Sequence, residues 1–93
     1  MKVFLKIISP KLSDSGRKEF TIEDDKENMS IMEVIQKLES INQDLLTEIS
    51  ADGFIHQNYL CLINNELIMY DQRNVVTLRD GDSMTISFVI AGG

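Results

Sequence analysis

The 93-residue sequence has no Trp, and only one His, one Cys and one Pro. A single Cys excludes an internal disulfide framework and fits a reducing, cytoplasmic setting. One His beside one Cys leaves few side-chain types for a self-contained catalytic or metal centre, so neither a metal nor a bound cofactor is expected. Basic charge is also short. Nine Lys and Arg face 15 Asp and Glu, for a net charge of −6. Nucleic-acid binders normally carry a basic stripe, so nucleic acid is not an expected partner. No apolar run approaches the ~18 residues of a membrane span, which argues against a membrane partner too.

What is present fits a soluble globule. Apolar residues make up 43% of the chain and charged residues 26%. At roughly 100–200 residues per domain, there is room for one core. A chain of this size buries only about 60–65% of its unfolded surface, so that core is thin. The charge is uneven. Residues 1–18 hold Lys2, Lys6, Lys11, Arg17 and Lys18 against Asp14, a balance of +4. Residues 19–93 carry four basic and 14 acidic residues, a balance of −10. Glu19, Glu23, Asp24, Asp25 and Glu27 crowd one stretch. It reads either as a solvated loop or as a surface for a basic partner. The N-terminal run Val3-Phe4-Leu5-Lys6-Ile7-Ile8 is too short for a signal-peptide core and holds a Lys, so it reads as a strand.

Period-two alternation along that strand sends Val3, Leu5 and Ile7 to the core and leaves Phe4, Lys6 and Ile8 on the other face. Pro10 and Ser13-Asp14-Ser15-Gly16 make a loop, and a second strand over about 18–22 returns as a hairpin. Ser30 and Glu33 stand at capping-box spacing, with Met29 and Val34 at the staple positions. Ile31, Val34, Ile35 and Leu38 then form one apolar stripe, which predicts a helix over about 30–41. Leu45, Leu46 and Ile49 suggest a short second turn of helix, capped by Asp44 and ended by Asp52-Gly53. Tyr59 to Ile63 is a strand apolar on both faces. Asn64-Asn65 can take the positive φ of a tight hairpin turn, and 66–69 is the returning strand. Asp80-Gly81-Asp82 is a turn. The last strand, 83–90, sets Met84, Ile86 and Phe88 against Thr85, Ser87 and Val89. The long first and last strands both suit central positions, side by side and parallel. The whole is α+β, one sheet folded on a helix.

The usual catalytic patterns are missing: no Cys-x-x-Cys, no His-Glu-x-x-His and no Gly-rich phosphate loop. Asp80-Gly81-Asp82 lacks the further ligands of a calcium loop. Cys61, between Leu60 and Leu62, reads as a buried inert thiol, and His56 as a surface polar residue. The informative segment is the end. A strand runs into Ala91-Gly92-Gly93, which tapers to no side chain and leaves a carboxylate at the tip. Such a thin tail can thread a narrow channel in another protein. A bare carboxylate is a poor electrophile, but an acyl-adenylate has a good leaving group. A sulfur donor can displace AMP from it and leave a thiocarboxylate. The chain offers no acid or base for that step, so the catalysis would belong to partners.

Leu78-Arg79-Asp80-Gly81-Asp82, an apolar strand and Ala91-Gly92-Gly93 together resemble the ubiquitin-like sulfur-carrier family. That family contains the small subunit of molybdopterin synthase and the thiamine sulfur carrier. The strand-Asn64-Asn65-Glu66 turn is similar to the family's strand-Asn-Gly-Glu turn, with Asn65 replacing the Gly. The likeness spans the whole chain in element order and is most specific over 59–93. It implies a β-grasp domain over 1–90, with a mixed sheet of about five strands around one main helix and a flexible tail at 91–93. It implies that Gly93 carries the sulfur, with Ala91 and Gly92 giving slender access. It further implies three partners: an activating enzyme that uses ATP to adenylate Gly93, a persulfide sulfur donor and a sulfur-accepting synthase. The protein itself would be a carrier or a non-catalytic small subunit. Phe88-Val89-Ile90 is closer to the thiamine type, because the molybdopterin type commonly has two prolines there. The insertions at 9–17 and 42–57 resemble the molybdopterin type, so the acceptor stays open between the two.

Partner docking is expected on the sheet face away from the helix, through Phe4, Lys6, Ile8 and Val89, with Thr85 and Ser87 between them. Two other readings remain: a protein modifier joined to lysines through Gly93, or a non-covalent interaction module in which the tail is incidental.

Overall fold

A computed structural model describes residues 1–12 and 16–89 of the chain. Strand β1 (Lys2–Ile8) alternates as its sequence requires, with Val3, Leu5 and Ile7 buried and Phe4 exposed. Strand β2 (Arg17–Glu23) returns antiparallel, placing Ile22 opposite Val3 and Phe20 opposite Leu5. Ser13, Asp14 and Ser15 of the expected loop lie outside the described residues.

Strand β3 (Asn28–Ser30) runs directly into helix α1 (Ile31–Gln36). Both halves of the capping box form. The Glu33 amide donates to Ser30 Oγ at 3.1 Å, and the Ser30 amide donates to Glu33 Oε1 at 3.0 Å. A 3₁₀ turn over Lys37–Ser40 continues α1, so helical backbone covers 31–40. The whole predicted stripe, Ile31, Val34, Ile35 and Leu38, is at most 1% exposed. Cutting Leu38 back to Ala would cost about 2–5 kcal/mol, because such a site collapses only in part.

Helix α2 (Gln43–Ile49) adds Leu45, Leu46 and Ile49 to the same core. Its cap is Asn42 rather than the expected Asp44. The Leu45 amide donates to Asn42 Oδ1 at 3.1 Å, the three-residue spacing that an N-cap needs. Asp44 sits in the first turn, where its charge faces the positive end of the helix dipole.

Asp52 and Gly53 do more than end a helix. At φ 53° and 80° they turn strand β4 (Ser50–Ala51) into β5 (Phe54–Ile55). Strand β6 (Tyr59–Ile63) turns into β7 (Glu66–Ile68) through Asn64 and Asn65, whose φ values of 52° and 68° are those of the expected tight turn. A 3₁₀ turn at Tyr70–Gln72 leads to β8 (Thr77–Arg79), and β9 (Ser83–Phe88) closes the sheet. The sheet order is β2-β1-β9-β6-β7, with β1 and β9 parallel and β6 antiparallel to β9. This is the β-grasp arrangement, with the first and last strands paired at the centre. A separate small ladder, β3 with β8, sets buried Met29 opposite buried Leu78. Strands of three residues carry too little periodicity to be read by themselves; β7 was legible only through the Asn64-Asn65 turn before it.

The turn before β9 is clamped to β1. The Gly81 amide donates to the Lys2 carbonyl at 2.7 Å, and the Lys2 amide donates to Asp80 Oδ1 at 2.7 Å. Asp82 binds the Arg79 amide through Oδ2 at 2.8 Å and accepts from Asn64 Nδ2 through Oδ1 at 3.0 Å. Asp80-Gly81-Asp82 is therefore a structural turn that fixes where β9 starts. The strand ends at Phe88, and the Val89 amide donates to the Asn58 carbonyl at 2.9 Å. Ile90, the expected last strand residue, lies outside the described residues. Among the described residues, no helix is long and apolar enough to cross a membrane.

Candidate functional site

Residues of opposite parity on a strand face opposite ways, so the buried set of β1 dictates the exposed one. With Val3, Leu5 and Ile7 inside, Phe4, Lys6 and Ile8 stand on the outer face. The parallel register places Lys6 beside Thr85 and Ile8 beside Ser87. Strand β6 then adds Leu60 opposite Ser87 and Leu62 opposite Thr85, and β7 adds Leu67 opposite Leu62. Phe4 is 46% exposed, Leu60 38%, Leu67 49% and Val89 37%. Of the residues expected to dock a partner, Phe4, Lys6 and Ile8 share one face, Phe4 exposed and Lys6 and Ile8 half-buried, while Val89 is exposed just past the end of β9.

That face is wider than the sequence suggested. Leu60, Leu62 and Leu67 extend it across two more strands. The signal was present, because β6 is apolar on both sides, but a strand with two apolar faces does not say which one meets the core. Between β2, β1 and β9 the face dips into a depression of about 600 Å³, lined by Phe4, Lys6, Thr21, Ser83 and Thr85.

The residues expected to carry the chemistry, Ala91, Gly92 and Gly93, lie outside the described residues. The frame that leads to them is described up to Val89, on the central strand pair and beside the outer face.

The other candidates are placed plainly. Cys61 is fully buried against the core. Burial pushes its thiol up to about 11, although the Arg73 charge pulls the other way. His56 is exposed, in the loop after β5. No cluster of three His, Cys, Asp or Glu is placed to hold a metal among the described residues. The acidic stretch is partly neutralised by neighbouring lysines. Asp24 pairs with Lys37 at 2.6 Å and Glu23 with Lys2 at 3.7 Å, while Glu19 stands opposite Lys6 on β1.

No family model matches the sequence, and neither does any curated protein. Solved structures do match. SAMP1 from Haloferax volcanii superposes with a TM-score of 0.72 at 14% identity, covering 100% of both chains. The solution structure of the Haloferax volcanii HVO 2177 protein gives 0.70 at 20% identity, over 100% of this chain and 87% of that one. A chain of the Amycolatopsis orientalis BexX/CysO complex gives 0.65 at 20% identity, over 96% and 99%. The chain has the ubiquitin-like β-grasp fold. At these identities the likeness is one of fold.

Proposed function

We propose that this chain is a ubiquitin-like sulfur carrier. Residues 1–90 form the β-grasp domain and 91–93 the tail it presents. The observation that carries this reading is the position of β9. It is a central strand, parallel to β1, bordered by an exposed apolar face, and the sequence runs on from it into Ala91-Gly92-Gly93. A partner docked on that face would hold the tail at a fixed distance from its own active site. The likeness to a chain of the BexX/CysO complex supports a protein partner.

In the proposed cycle an activating enzyme transfers AMP from ATP to the Gly93 carboxylate and releases pyrophosphate. A persulfide sulfur attacks the acyl carbon and displaces AMP. A second thiol then cleaves the resulting acyl disulfide and leaves the terminal thiocarboxylate. A sulfur-accepting synthase takes that sulfur for a cofactor of the molybdopterin or thiamine type. The carrier holds the carboxylate and recycles, and its partners perform the chemistry. A cytoplasmic location suits the single free thiol.

The test is intact-mass measurement after incubation with ATP, a sulfur donor and the activating enzyme. The expected product is heavier by the difference between sulfur and oxygen at the C-terminus. Deleting Gly93, or adding one residue after it, should abolish loading while leaving the fold intact. Loading of the extended variant would overturn the reading, and an isopeptide adduct to lysine would favour a modifier instead.

A further inference from the structure

Away from the outer sheet face, the start of α1, strand β5 and the segment 70–74 enclose a second cavity of about 430 Å³. Its walls are mainly apolar, from Ile31, Met32, Phe54 and the ring of Tyr70, and its charged groups are Arg73 and Asp71. Arg73 is only 9% exposed. One of its nitrogens, Nη2, donates to the Tyr59 carbonyl at 2.8 Å. Nε and Nη1 are buried and have no hydrogen-bond partner among the described residues. The Tyr70 ring lies over the guanidinium, 5.2 Å from Cζ to the ring centroid.

A guanidinium stays charged in a protein, so burial cannot be relieved by losing the proton. Burying a cation is unfavourable unless an anion or a full set of acceptors compensates. Here one carbonyl and one ring face compensate in part, and two donor nitrogens are left over. Asp71 lines the same cavity but makes no ion pair with Arg73.

We propose that this cavity binds a small monocarboxylic acid with an aromatic or branched apolar body. The carboxylate accepts from Arg73, and the body packs between Met32, Phe54 and Tyr70. Each part of that description has a cause. The volume falls within the roughly 300–1,000 Å³ of small-molecule sites. One cation, apolar walls and a neighbouring Asp71 suit a monoanion better than a strongly hydrated phosphate. The ring of Tyr70, 45% exposed, stacks on the guanidinium, so in the proposed complex it shifts to admit the carboxylate and then flanks the body. The site is separate from the tail and does not depend on the sulfur-carrier reading.

The test is a titration of the ¹⁵N-labelled full-length protein followed by two-dimensional NMR. The probes are phenylacetate and 3-methylbutanoate, with phenylacetamide as the uncharged isostere and inorganic phosphate as the second anion. Support would be saturable shifts at Phe54, at Tyr70 to Asn74 and at the Arg73 Nε–H, with phenylacetamide at least tenfold weaker. Asp71→Asn should tighten phenylacetate binding several-fold by removing a like charge. Arg73→Met should erase the preference for the acid over the amide. Should Arg73→Met fail to fold, Phe54→Ala, at an exposed position on the rim, should weaken phenylacetate binding about tenfold in a folded protein. Equal binding of acid and amide, response to phosphate alone, or shifts centred on Phe4 and Leu60 of the outer face would each overturn the proposal.

Discussion

Ser9 Oγ and Tyr59 Oη lie 2.8 Å apart in the core, joining residues 50 positions apart in the chain. Both residues are almost fully buried, at 1% and 0% exposure. Ser9 Oγ also accepts from the Lys11 amide at 3.2 Å, so the pair ties the start of the 9–17 loop to β6. Removing either hydroxyl takes a close partner from the other, leaving Tyr59 Oη only a longer bond to Glu48 Oε2 at 3.4 Å and Ser9 Oγ only the Lys11 amide, whereas removing both leaves less to desolvate. Tyr59→Phe and Ser9→Ala should each destabilise the protein by about 1–3 kcal/mol in urea unfolding. The double variant should lose clearly less than the sum. Strict additivity would mean that the two hydroxyls do not support each other.

Acid should weaken the region where β2, β3 and α1 meet. A hydrogen bond from Lys37, with help from the Lys26 amide, holds the Asp24 carboxyl below its ordinary value. Lys26, followed by the Ser30 amide, does the same for Glu33. A carboxyl depressed on folding stabilises the fold above its unfolded value, and that contribution is lost as pH falls through the folded value. The urea midpoint should therefore drop as pH falls below about 4, the ordinary carboxylate range. Both pairs are solvent-exposed, so salt should shrink the effect. Lys26→Met with Lys37→Met should flatten the acid slope, and an unchanged slope in that variant would refute the assignment.

Cys61 should be inert in the folded protein. Its thiol is buried and raised to about 11, so the thiolate that reacts with alkylating agents is scarce at neutral pH. Iodoacetamide at pH about 8, below the ordinary thiol value, should leave the native mass unchanged and add one group in urea. Rapid native labelling would show that β6 opens readily.

The legible parts of the fold were those that repeat. Val3, Leu5 and Ile7 and then Met84 and Ile86 keep period two over several residues, and Ile31 to Leu38 keeps the helical stripe. The Ser30 and Glu33 box and the Asn64-Asn65 turn were legible because a specific backbone geometry demands those residues. The β3–β8 ladder was not, since three residues cannot establish a period. Neither was the burial of Arg73. It depends on the carbonyl of Tyr59, fourteen residues away, and the segment around it repeats nothing. The outer apolar face was read half-way: β1 and β9 declared it, while the Leu60, Leu62 and Leu67 extension needed the strand order.

That extension leads to the last prediction. Phe4 and Leu60 lie on different strands of the outer face, on either side of β9, and both are partly exposed. If the activating enzyme docks there, each removes water from an apolar side chain at the centre of the contact. Side chains of that kind are typically worth about 1–2 kcal/mol or more on truncation. Phe4→Ala and Leu60→Ala should therefore each lower kcat/KM for Gly93 loading by roughly 5–30-fold. The exposed positions themselves should tolerate the change with little loss of folded stability. Gln36→Ala, on the exposed side of α1, is the matched control and should load like the parent. Charge tests the same contact from another side. Lys6→Glu leaves the apolar area largely intact but reverses the sign at its centre, so it should act mainly on the association rate, more strongly at low salt. Parent-like loading by all three outer-face variants would place the docking contact elsewhere, even if Gly93 proves to carry the sulfur.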